Sequence, residues 1–210
     1  MLPENYKFDH SFRTGDISLI AGTDEAGRGP LAGPVVAAAV LFPPDIYIRG
    51  IGDSKKLSSR KREELFPEIL RHALSFSFTI ITPEKIDEIN ILQASLRAMS
   101  ESVRKLTRRP EYILIDGNKS FPSDIPALPV IKGDGKSMAI GAASIIAKVI
   151  RDRIMTGLAD EFPVYNWKSN KGYPTRDHIE AIRQHGITPH HRRSFLNNIL
   201  EGRQYELRLN

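Results

Sequence analysis

Residues 17–30 carry the strongest structural signal in the sequence and read Ile-Ser-Leu-Ile-Ala-Gly-Thr-Asp-Glu-Ala-Gly-Arg-Gly-Pro. An apolar segment that ends in two acids and then in glycines predicts a buried strand that delivers charge to one end of a sheet, where a cation can meet it. Successive side chains of a strand point to opposite faces, so Asp24 and Glu25 share one metal site only if the strand ends or bends there. Gly27 and Gly29 permit that bend.

Two further acids follow short apolar runs much later in the chain. Residues 112–115 precede Asp116, and residues 128–131 lead to Asp134. For any one of these acids, an ordinary Asp-Gly turn is the commoner explanation. Acids at the ends of three predicted strands favour a metal site instead, because Mg²⁺ prefers oxygen ligands and retains waters beside a phosphate.

Composition sets broader limits on the protein. The chain has 210 residues, enough for one domain with a substantial core, and its formal net charge of +5 weakly favours a polyanionic partner. It contains no cysteine, which excludes disulfides, thiolate metal sites and cysteine nucleophiles. The sequence shows no signal-peptide pattern and no apolar run near the ~20 residues that span a bilayer, so we expect a cytoplasmic protein that avoids membranes.

Hydrophobic patterning predicts an α/β domain around a five-stranded mixed sheet. Besides the runs before Asp116 and Asp134, the predicted strands are residues 17–23, 35–42 and 74–81, and the predicted helices are 58–72, 83–106 and 136–162, with two shorter helices after 175. Ser58 is positioned to cap the first of these helices, and Pro67 is expected to kink or divide it. Gly157 is expected to interrupt the long helix, and Gly186 and Pro189 separate the last two.

The sequence resembles the bacterial ribonuclease HII group of the type 2 ribonuclease H family, in motifs that keep the family order. The matching motifs are residues 24–36 (DEAGRGPLAGPVV), 53–57 (DSKKL), 115–118 (IDGN), 132–137 (KGDGKS), 142–153 (AASIIAKVIRDR), 172–175 (GYPT) and 190–195 (HHRRSF). The resemblance implies an RNase H-like fold, with the five-stranded mixed sheet flanked by helices. We expect one domain over residues 1–210, in which about 175–200 form a small C-terminal helical extension and 201–210 a polar tail.

The activity implied by this resemblance is that of a metal-dependent endoribonuclease, a ribonuclease H acting in ribonucleotide excision repair and DNA replication. Such an enzyme hydrolyses the RNA strand of RNA/DNA hybrids and cleaves 5′ of single ribonucleotides in duplex DNA, leaving 3′-hydroxyl and 5′-phosphate ends. The family pattern assigns catalysis, and the binding of two Mg²⁺ or Mn²⁺ ions, to Asp24, Glu25, Asp116 and Asp134.

The same resemblance implies two groups of substrate contacts. Backbone groups of Gly27, Arg28 and Gly29 are expected to recognise the ribose 2′-hydroxyl, although the motif alone favours a plain turn. Tyr173 is expected to contact the sugar at the RNA–DNA junction, whereas an isolated tyrosine more often serves packing.

Several charged residues have roles that the sequence leaves more open. Lys55 and Lys56 are candidates for phosphate contacts, with Ser137 a weaker one, and any solvated face would look the same. Asp152 lies between two arginines and is expected to form ion pairs rather than bind metal. Residues 190–193 (HHRR) are expected to be structural or to face phosphate, because adjacent histidines on a regular element cannot both face one ion.

Alternatives to this function are a non-catalytic RNA/DNA hybrid-binding module and a hybrid nuclease resembling ribonuclease HIII. The first has no need of strand-end acids, and the second carries an additional amino-terminal domain for which Asp24 lies too near the start. A glycine-loop nucleotide-binding protein is weaker still, since neither phosphate-binding fingerprint is present. Residues 204–209 resemble the Gln-x-x-Leu-x-Leu pattern that docks into sliding clamps. A monomer suffices for all these roles.

Overall fold

The structure is a computed structural model that describes residues 2–15, 17–52 and 57–199. In chain order, its elements are α1 (Glu4–Ser11), β1 (Ile20–Ala26), β2 (Val35–Leu41), α2 (Ser59–His72), β3 (Ser75–Ile81), α3 (Pro83–Ile89), α4 (Ile91–Arg104), β4 (Tyr112–Asp116), β5 (Ala127–Val130), α5 (Gly133–Lys136), α6 (Met138–Glu161), α7 (Trp167–Asn170) and α8 (Arg176–His185). A short 3₁₀ turn at Pro163–Tyr165 lies between α6 and α7, and another at Arg193–Phe195 follows α8.

The five strands form one mixed sheet in the order β3-β2-β1-β4-β5, as expected from the sequence. β1 is antiparallel to β2 and parallel to β4, and β4 is parallel to β5. Because β1, β4 and β5 are parallel, their carboxyl ends meet at the same edge of the sheet. The residues that follow these three strands are therefore brought together.

The boundaries of several elements differ from the sequence predictions. β1 begins at Ile20 rather than at residue 17 and continues to Ala26, so its two acids belong to the strand itself. The helix expected over residues 83–106 is divided into α3 and α4 at Asn90, whose φ of 64° is left-handed and whose side chain accepts from the first turn of α4. Asparagine tolerates this conformation and caps the new helix, which explains the break.

Two helices are more continuous than expected, and one was not expected. α2 is capped by Ser58 as predicted but runs unbroken through Pro67, because the buried Leu65 and Ile69 fix the turns on either side. α6 is uninterrupted at Gly157. Patterning gave no indication of α1. After α8, residues 197–199 are helical, and residues 200–210 lie outside the described residues.

The chain divides into two compact units. The sheet unit comprises Met1–Ala26, Val36–Ile80 and Ser95–Ile150, and the loop unit comprises Gly27–Val35, Ile81–Ala94 and Arg151–Asn210. The largest apolar cluster of the sheet unit joins side chains of β2, α2 and α6, and the core of the loop unit is built around Trp167. The assignment of the chain to a single domain, with its extension and tail, remains a prediction. Nowhere in the three described ranges does a helix combine the length and apolar composition needed to cross a membrane.

Candidate active site

The register of the parallel strands determines the positions of three of the predicted acids. Thr23 of β1 pairs with Ile115 of β4, so Asp24 and Asp116 are the next residues along the two strands. Asp116 itself pairs with the last residue of β5, after which α5 carries Asp134. Glu25 adjoins Asp24 and pairs with β2. The sheet thus places all four acids at or beside one edge.

The loop that carries Asp134 is bound directly to Asp116. Oδ1 of Asp116 accepts from the backbone N–H of Gly133 at 2.7 Å and from that of Asp134 at 3.3 Å. A Cβ at Gly133 would lie 2.6 Å from Cδ1 of Ile140 and 3.2 Å from Oδ1 of Asp116. A larger residue here would displace the end of the Ile140 side chain and press on the Asp116 carboxylate, so this close approach favours glycine.

The Asp24 carboxyl is the most strongly perturbed acid of the site. Its side chain is only 4% exposed and accepts from the N–H of Glu25 at 2.6 Å. Burial raises its pKa well above the usual value, the charges of Glu25 and Asp116 raise it further, and a hydrogen bond from the Ser144 side chain opposes the shift. The ionised form is thus costly, so this edge of the sheet favours the binding of a cation or a proton.

The donor set suits a hard divalent cation, since it consists of carboxylate oxygens alone. Within the three described ranges, however, no three His, Asp or Glu side chains lie close enough together to hold a metal ion as they stand. Both Asp24 and Asp116 use a carboxylate oxygen to accept backbone N–H groups. Each of these two carboxylates therefore already has one oxygen engaged by the backbone.

The glycine loop, residues 27–34 of the loop unit, is held by the fully buried guanidinium of Arg192. Its three nitrogens donate to the carbonyls of Gly33, Arg28 and Gly27 at 2.9, 3.1 and 2.6 Å. The peptide bonds of the loop are trans. Because N–H and C=O point in opposite directions across a trans peptide, the N–H groups of Arg28 and Gly29 are directed away from Arg192. Both residues are exposed.

A second buried guanidinium, that of Arg151, holds the far end of the glycine loop. It donates to the carbonyls of Pro34, Ala32 and Lys171, each at 3.0 Å. A Cβ at Gly27, whose φ is +99°, would lie 2.1 Å from Nε of Arg151. Burial lowers the pKa of Arg151 to about 10 and that of Arg192 to about 9. Both remain charged at neutral pH and make the surroundings of the loop electropositive.

Tyr173 lies beside this loop. Its side chain is 41% exposed, and its Cε1 is 3.6 Å from the position that a Cβ at Gly29 would take. The N–H of Leu31 donates to the carbonyl oxygen of Gly172 at 2.8 Å, and a Cβ at Gly172, whose φ is +83°, would lie 2.5 Å from the Ala32 carbonyl oxygen. The structure thus places Tyr173 beside Gly29, the last residue of the Gly27-Arg28-Gly29 segment.

The structure also bears on the other residues that the sequence suggested as phosphate contacts. Lys55 and Lys56 lie outside the described residues. Ser137 is fully buried and its Oγ accepts from Ile140 N, so it caps α6 and does not reach a phosphate. Within the HHRR segment, His191 and Arg192 are buried and hydrogen-bonded inside the loop unit, which is a structural arrangement.

Sequence reasoning did not identify Ser144, Arg151 or Arg192 as parts of the site. A lone serine in the alanine-rich run 142–147 was the available signal for Ser144. Arg192 belongs to the segment 190–193 that was expected to be structural or to face phosphate, but its bonds to the glycine loop were not foreseen. Arg151 gave no signal of its own, because a buried arginine and a solvated one look alike in a single sequence.

Comparison with known proteins identifies the family of the chain. The family model described as Ribonuclease HII matches residues 21–198. A ribonuclease HII of Bacillus mycoides (strain KBAB4) is 52% identical over 192 residues, which cover 91% of this chain and 74% of that protein. The crystal structure of ribonuclease H2 from Pyrococcus horikoshii OT3 superposes with a TM-score of 0.74 at 28% identity, covering 87% of this chain and 97% of that one.

A second solved structure, the complex of PCNA with RNase HII from Archaeoglobus fulgidus, gives a TM-score of 0.71 at 29% identity, covering 83% of this chain and 94% of that one. These similarities confirm the RNase H-like fold expected from the sequence. The chain therefore belongs to the ribonuclease HII family and is a ribonuclease H, an endoribonuclease that acts on RNA/DNA hybrids.

Proposed function

We propose that this ribonuclease H also cleaves on the 5′ side of single ribonucleotides embedded in duplex DNA and leaves 3′-hydroxyl and 5′-phosphate ends. The observation that carries the proposal is the glycine loop. Its carbonyls are bound by Arg192, and its N–H groups at Arg28 and Gly29 are directed away from that guanidinium. Such a loop can recognise one 2′-hydroxyl without help from neighbouring ribonucleotides.

Catalysis is assigned to the four acids Asp24, Glu25, Asp116 and Asp134. They would hold two Mg²⁺ or Mn²⁺ ions, which when bound activate a water and stabilise the leaving 3′ oxygen. Ser144 hydrogen-bonds and orients the Asp24 carboxyl. The N–H groups of Gly133 and Asp134 fix one oxygen of Asp116 and leave its other oxygen to act as a ligand. Family membership and the all-oxygen donor set support this dependence on divalent metal.

Recognition of the substrate is assigned to the loop unit. The N–H groups of the Gly27-Arg28-Gly29 segment would bind the 2′-hydroxyl, while Tyr173 packs on the deoxyribose next to it. The 2′-hydroxyl distinguishes RNA from DNA at a given position, and Gly29 has no side chain to obstruct it. The charges of Arg151 and Arg192 attract the phosphate backbone near the loop. Lys55 and Lys56 are proposed to make additional phosphate contacts.

A sliding clamp is the protein partner that we propose. The RNase HII of Archaeoglobus fulgidus was solved in complex with PCNA, and residues 204–209 of this chain resemble a clamp-docking pattern. This tail lies outside the described residues. Deletion of residues 203–210 should weaken binding to the bacterial clamp in calorimetry without altering cleavage of short duplexes. Clamp binding that survives the deletion would contradict this role. The enzyme is proposed to work as a cytoplasmic monomer.

The test of the proposed function separates binding from cleavage. Tyr173→Ala should reduce cleavage at a single ribonucleotide more than it reduces binding of an all-DNA duplex, because charged phosphate contacts remain. Asp24→Asn should abolish cleavage while the duplex still binds, and Asp152→Asn is the matched control for loss of one carboxylate. Equal activity of Asp24→Asn and Asp152→Asn would refute the metal-site assignment. Unchanged single-ribonucleotide cleavage in Tyr173→Ala would refute the recognition assignment.

A further inference from the structure

The core of the loop unit contains a polar cluster that the reaction does not use directly. Trp167, His178 and His191 are at most 2% exposed, and their ring atoms hydrogen-bond to one another. Buried imidazoles are costly unless each nitrogen has a partner. Both ring nitrogens of His178 and of His191 have a partner within hydrogen-bond distance.

The bonds of His191 determine which of its nitrogens carries the proton. Thr188 donates its backbone N–H to Nδ1 of His191 at 2.9 Å. Because a backbone N–H can only donate, Nδ1 is an acceptor and the proton of the neutral ring resides on Nε2. That Nε2 lies 3.3 Å from Nε2 of His178, which it faces as a donor.

The bonds of His178 follow in the same way. The indole Nε1 of Trp167, which is a donor only, lies 3.0 Å from Nε2 of His178. Nε2 of His178 therefore carries no proton, and its single lone pair is shared between the closer N–H of Trp167 and that of His191. The proton of the His178 ring resides on Nδ1. Nδ1 in turn lies 2.9 Å from the carbonyl oxygen of Tyr173 and donates to it.

This tautomer requires both rings to be neutral, and burial favours that state. Burial lowers the pKa of His178, and burial together with the repulsion that a protonated His178 would exert lowers the pKa of His191 to about 4. At neutral pH, the chain of donors from Trp167 and His191 through His178 to Tyr173 is therefore complete.

The recipient of the last hydrogen bond is a residue of the proposed substrate site. The Tyr173 carbonyl also accepts from Thr175 N at 2.8 Å, and Tyr173 N donates to Asn170 O at 2.9 Å. The backbone of Tyr173 is thus fixed on both sides, although its ring is 41% exposed. Because the backbone of this exposed residue is already fixed, its ring loses less conformational entropy when it packs against a sugar.

We propose that His178 is a positioning residue for cleavage at single ribonucleotides: its Nδ1–H, oriented by Trp167 and His191, fixes the Tyr173 backbone so that the ring meets the sugar beside the cut. This inference rests on the proposed function of Tyr173. A cluster that only filled the core would need the shape of the imidazole but not the donor at Nδ1.

Two substitutions of His178 separate the donor from the shape. In His178→Asn, Nδ2 takes the place of the imidazole Nδ1 and can still donate to Tyr173. In His178→Gln, the amide lies one bond further out, where it meets Trp167 rather than the Tyr173 carbonyl. His185→Gln is the matched control, because His185 is exposed on the same helix, α8.

Each variant is assayed with Mg²⁺ on a duplex containing one ribonucleotide and on a uniform RNA/DNA hybrid, and its thermal unfolding is recorded. His178→Gln should lower kcat on the single-ribonucleotide duplex about five- to tenfold relative to the hybrid, the effect of one lost hydrogen bond. His178→Asn should restore most of this ratio, and His185→Gln should leave it unchanged. A variant that is only less stable has less active enzyme for both substrates, so its ratio of kcat on the single-ribonucleotide duplex to kcat on the hybrid does not change.

Tyr173→Ala distinguishes failure of this inference from failure of the proposed function. If Tyr173→Ala leaves the substrate ratio unchanged, the proposed role of Tyr173 is wrong. If Tyr173→Ala shifts the ratio and His178→Gln does not, the positioning role of His178 is overturned while that of Tyr173 stands. The double variant His178→Gln/Tyr173→Ala should have the same substrate ratio as Tyr173→Ala alone. Losses in this ratio that add in the double variant would also overturn the inference.

Trp167→Phe provides a second perturbation should His178→Gln fail to fold. It keeps an aromatic ring in the core and removes the indole N–H that orients His178. A shift of the substrate ratio in the same direction as Tyr173→Ala is expected. An unchanged ratio in folded Trp167→Phe would count against the proposal.

Discussion

Replacement of Arg192 by methionine tests how the glycine loop is held in place. The substitution removes three hydrogen bonds to backbone carbonyls. Arg28 is exposed, so water can reach its carbonyl, but the carbonyls of Gly27 and Gly33 are left buried without this donor. At ~1–3 kcal/mol for each buried group that loses its partner, the free energy of unfolding should fall by about 2–6 kcal/mol.

This loss is a large fraction of the ~5–15 kcal/mol by which domains are usually stable. For a protein of this size it corresponds to a fall in melting temperature on the order of 5–20 °C. Urea unfolding monitored by circular dichroism gives the free energy directly, provided that the slope with denaturant is unchanged. Cleavage at a single ribonucleotide should fall as well, because the N–H groups of Arg28 and Gly29 lose their fixed direction.

Two further variants make the reasoning refutable. Arg193→Met removes the same charge from an exposed neighbour and should change stability by no more than ~0.5 kcal/mol. Arg192→Lys keeps the charge but lacks the planar fork that spans three carbonyls, so it should recover only part of the loss. If Arg192→Met were as stable as Arg193→Met, or Arg192→Lys as stable as wild type, the guanidinium would not be what holds the loop.

Three other perturbations follow from the sheet unit. Gly133→Ala should lower kcat about tenfold or more at saturating Mg²⁺ with circular dichroism unchanged, because the added Cβ presses on Ile140 and the Asp116 carboxylate; full activity would contradict this packing. Burial raises the pKa of Asp9 from 3.8 to about 6, so the stability that Asp9 contributes is complete below pH 3.8 and is lost as pH rises through 6. The urea midpoint of Asp9→Asn should therefore rise relative to that of wild type between pH 3.8 and 6. A difference between the two midpoints that does not change with pH would refute this. In calorimetry without metal, the melting temperature of Asp24→Asn should rise relative to that of wild type as pH rises, because the buried Asp24 carboxyl must then ionise beside other acids. A difference in melting temperature that does not change with pH would argue against the raised pKa.

The sheet and its acids were predictable because they follow from local patterns. Each of the three parallel strands is a short apolar run that ends close to an acid, and parallel strands necessarily deliver their carboxyl ends to one edge. The early end predicted for the first strand was wrong because acids were assumed to terminate it, whereas β1 continues through Asp24 and Glu25 to Ala26.

The supports of the site were not predictable because they join residues far apart in the chain. Arg192 bonds to Gly27 across 165 positions, and Asp9 accepts from Ala139 N across 130. Nothing in the local sequence distinguishes these buried charged residues from solvated ones. The break at Asn90 depends on a left-handed residue inside an otherwise continuous helical pattern, which periodicity does not detect.

Family membership decides between ribonuclease HII and the two alternative functions that the sequence left open. A non-catalytic hybrid-binding module is incompatible with membership of a family of ribonucleases, and the match over residues 21–198 is to ribonuclease HII rather than HIII. The residue-level assignments of the acids, the glycine loop and Tyr173 remain predictions, to be decided by the variants above.

Mapping the cut in duplex DNA that contains one ribonucleotide is the most direct test of the central claim. With Mg²⁺ or Mn²⁺, mass spectrometry should find cleavage on the 5′ side of the ribonucleotide with 3′-hydroxyl and 5′-phosphate ends, and none in all-DNA duplex, without metal, or with Asp134→Asn. Cyclic-phosphate ends would mean that the 2′-hydroxyl, not water, is the nucleophile. Those ends, equal cleavage of all-DNA duplex, or near-wild-type activity of Asp134→Asn at saturating metal would contradict the account.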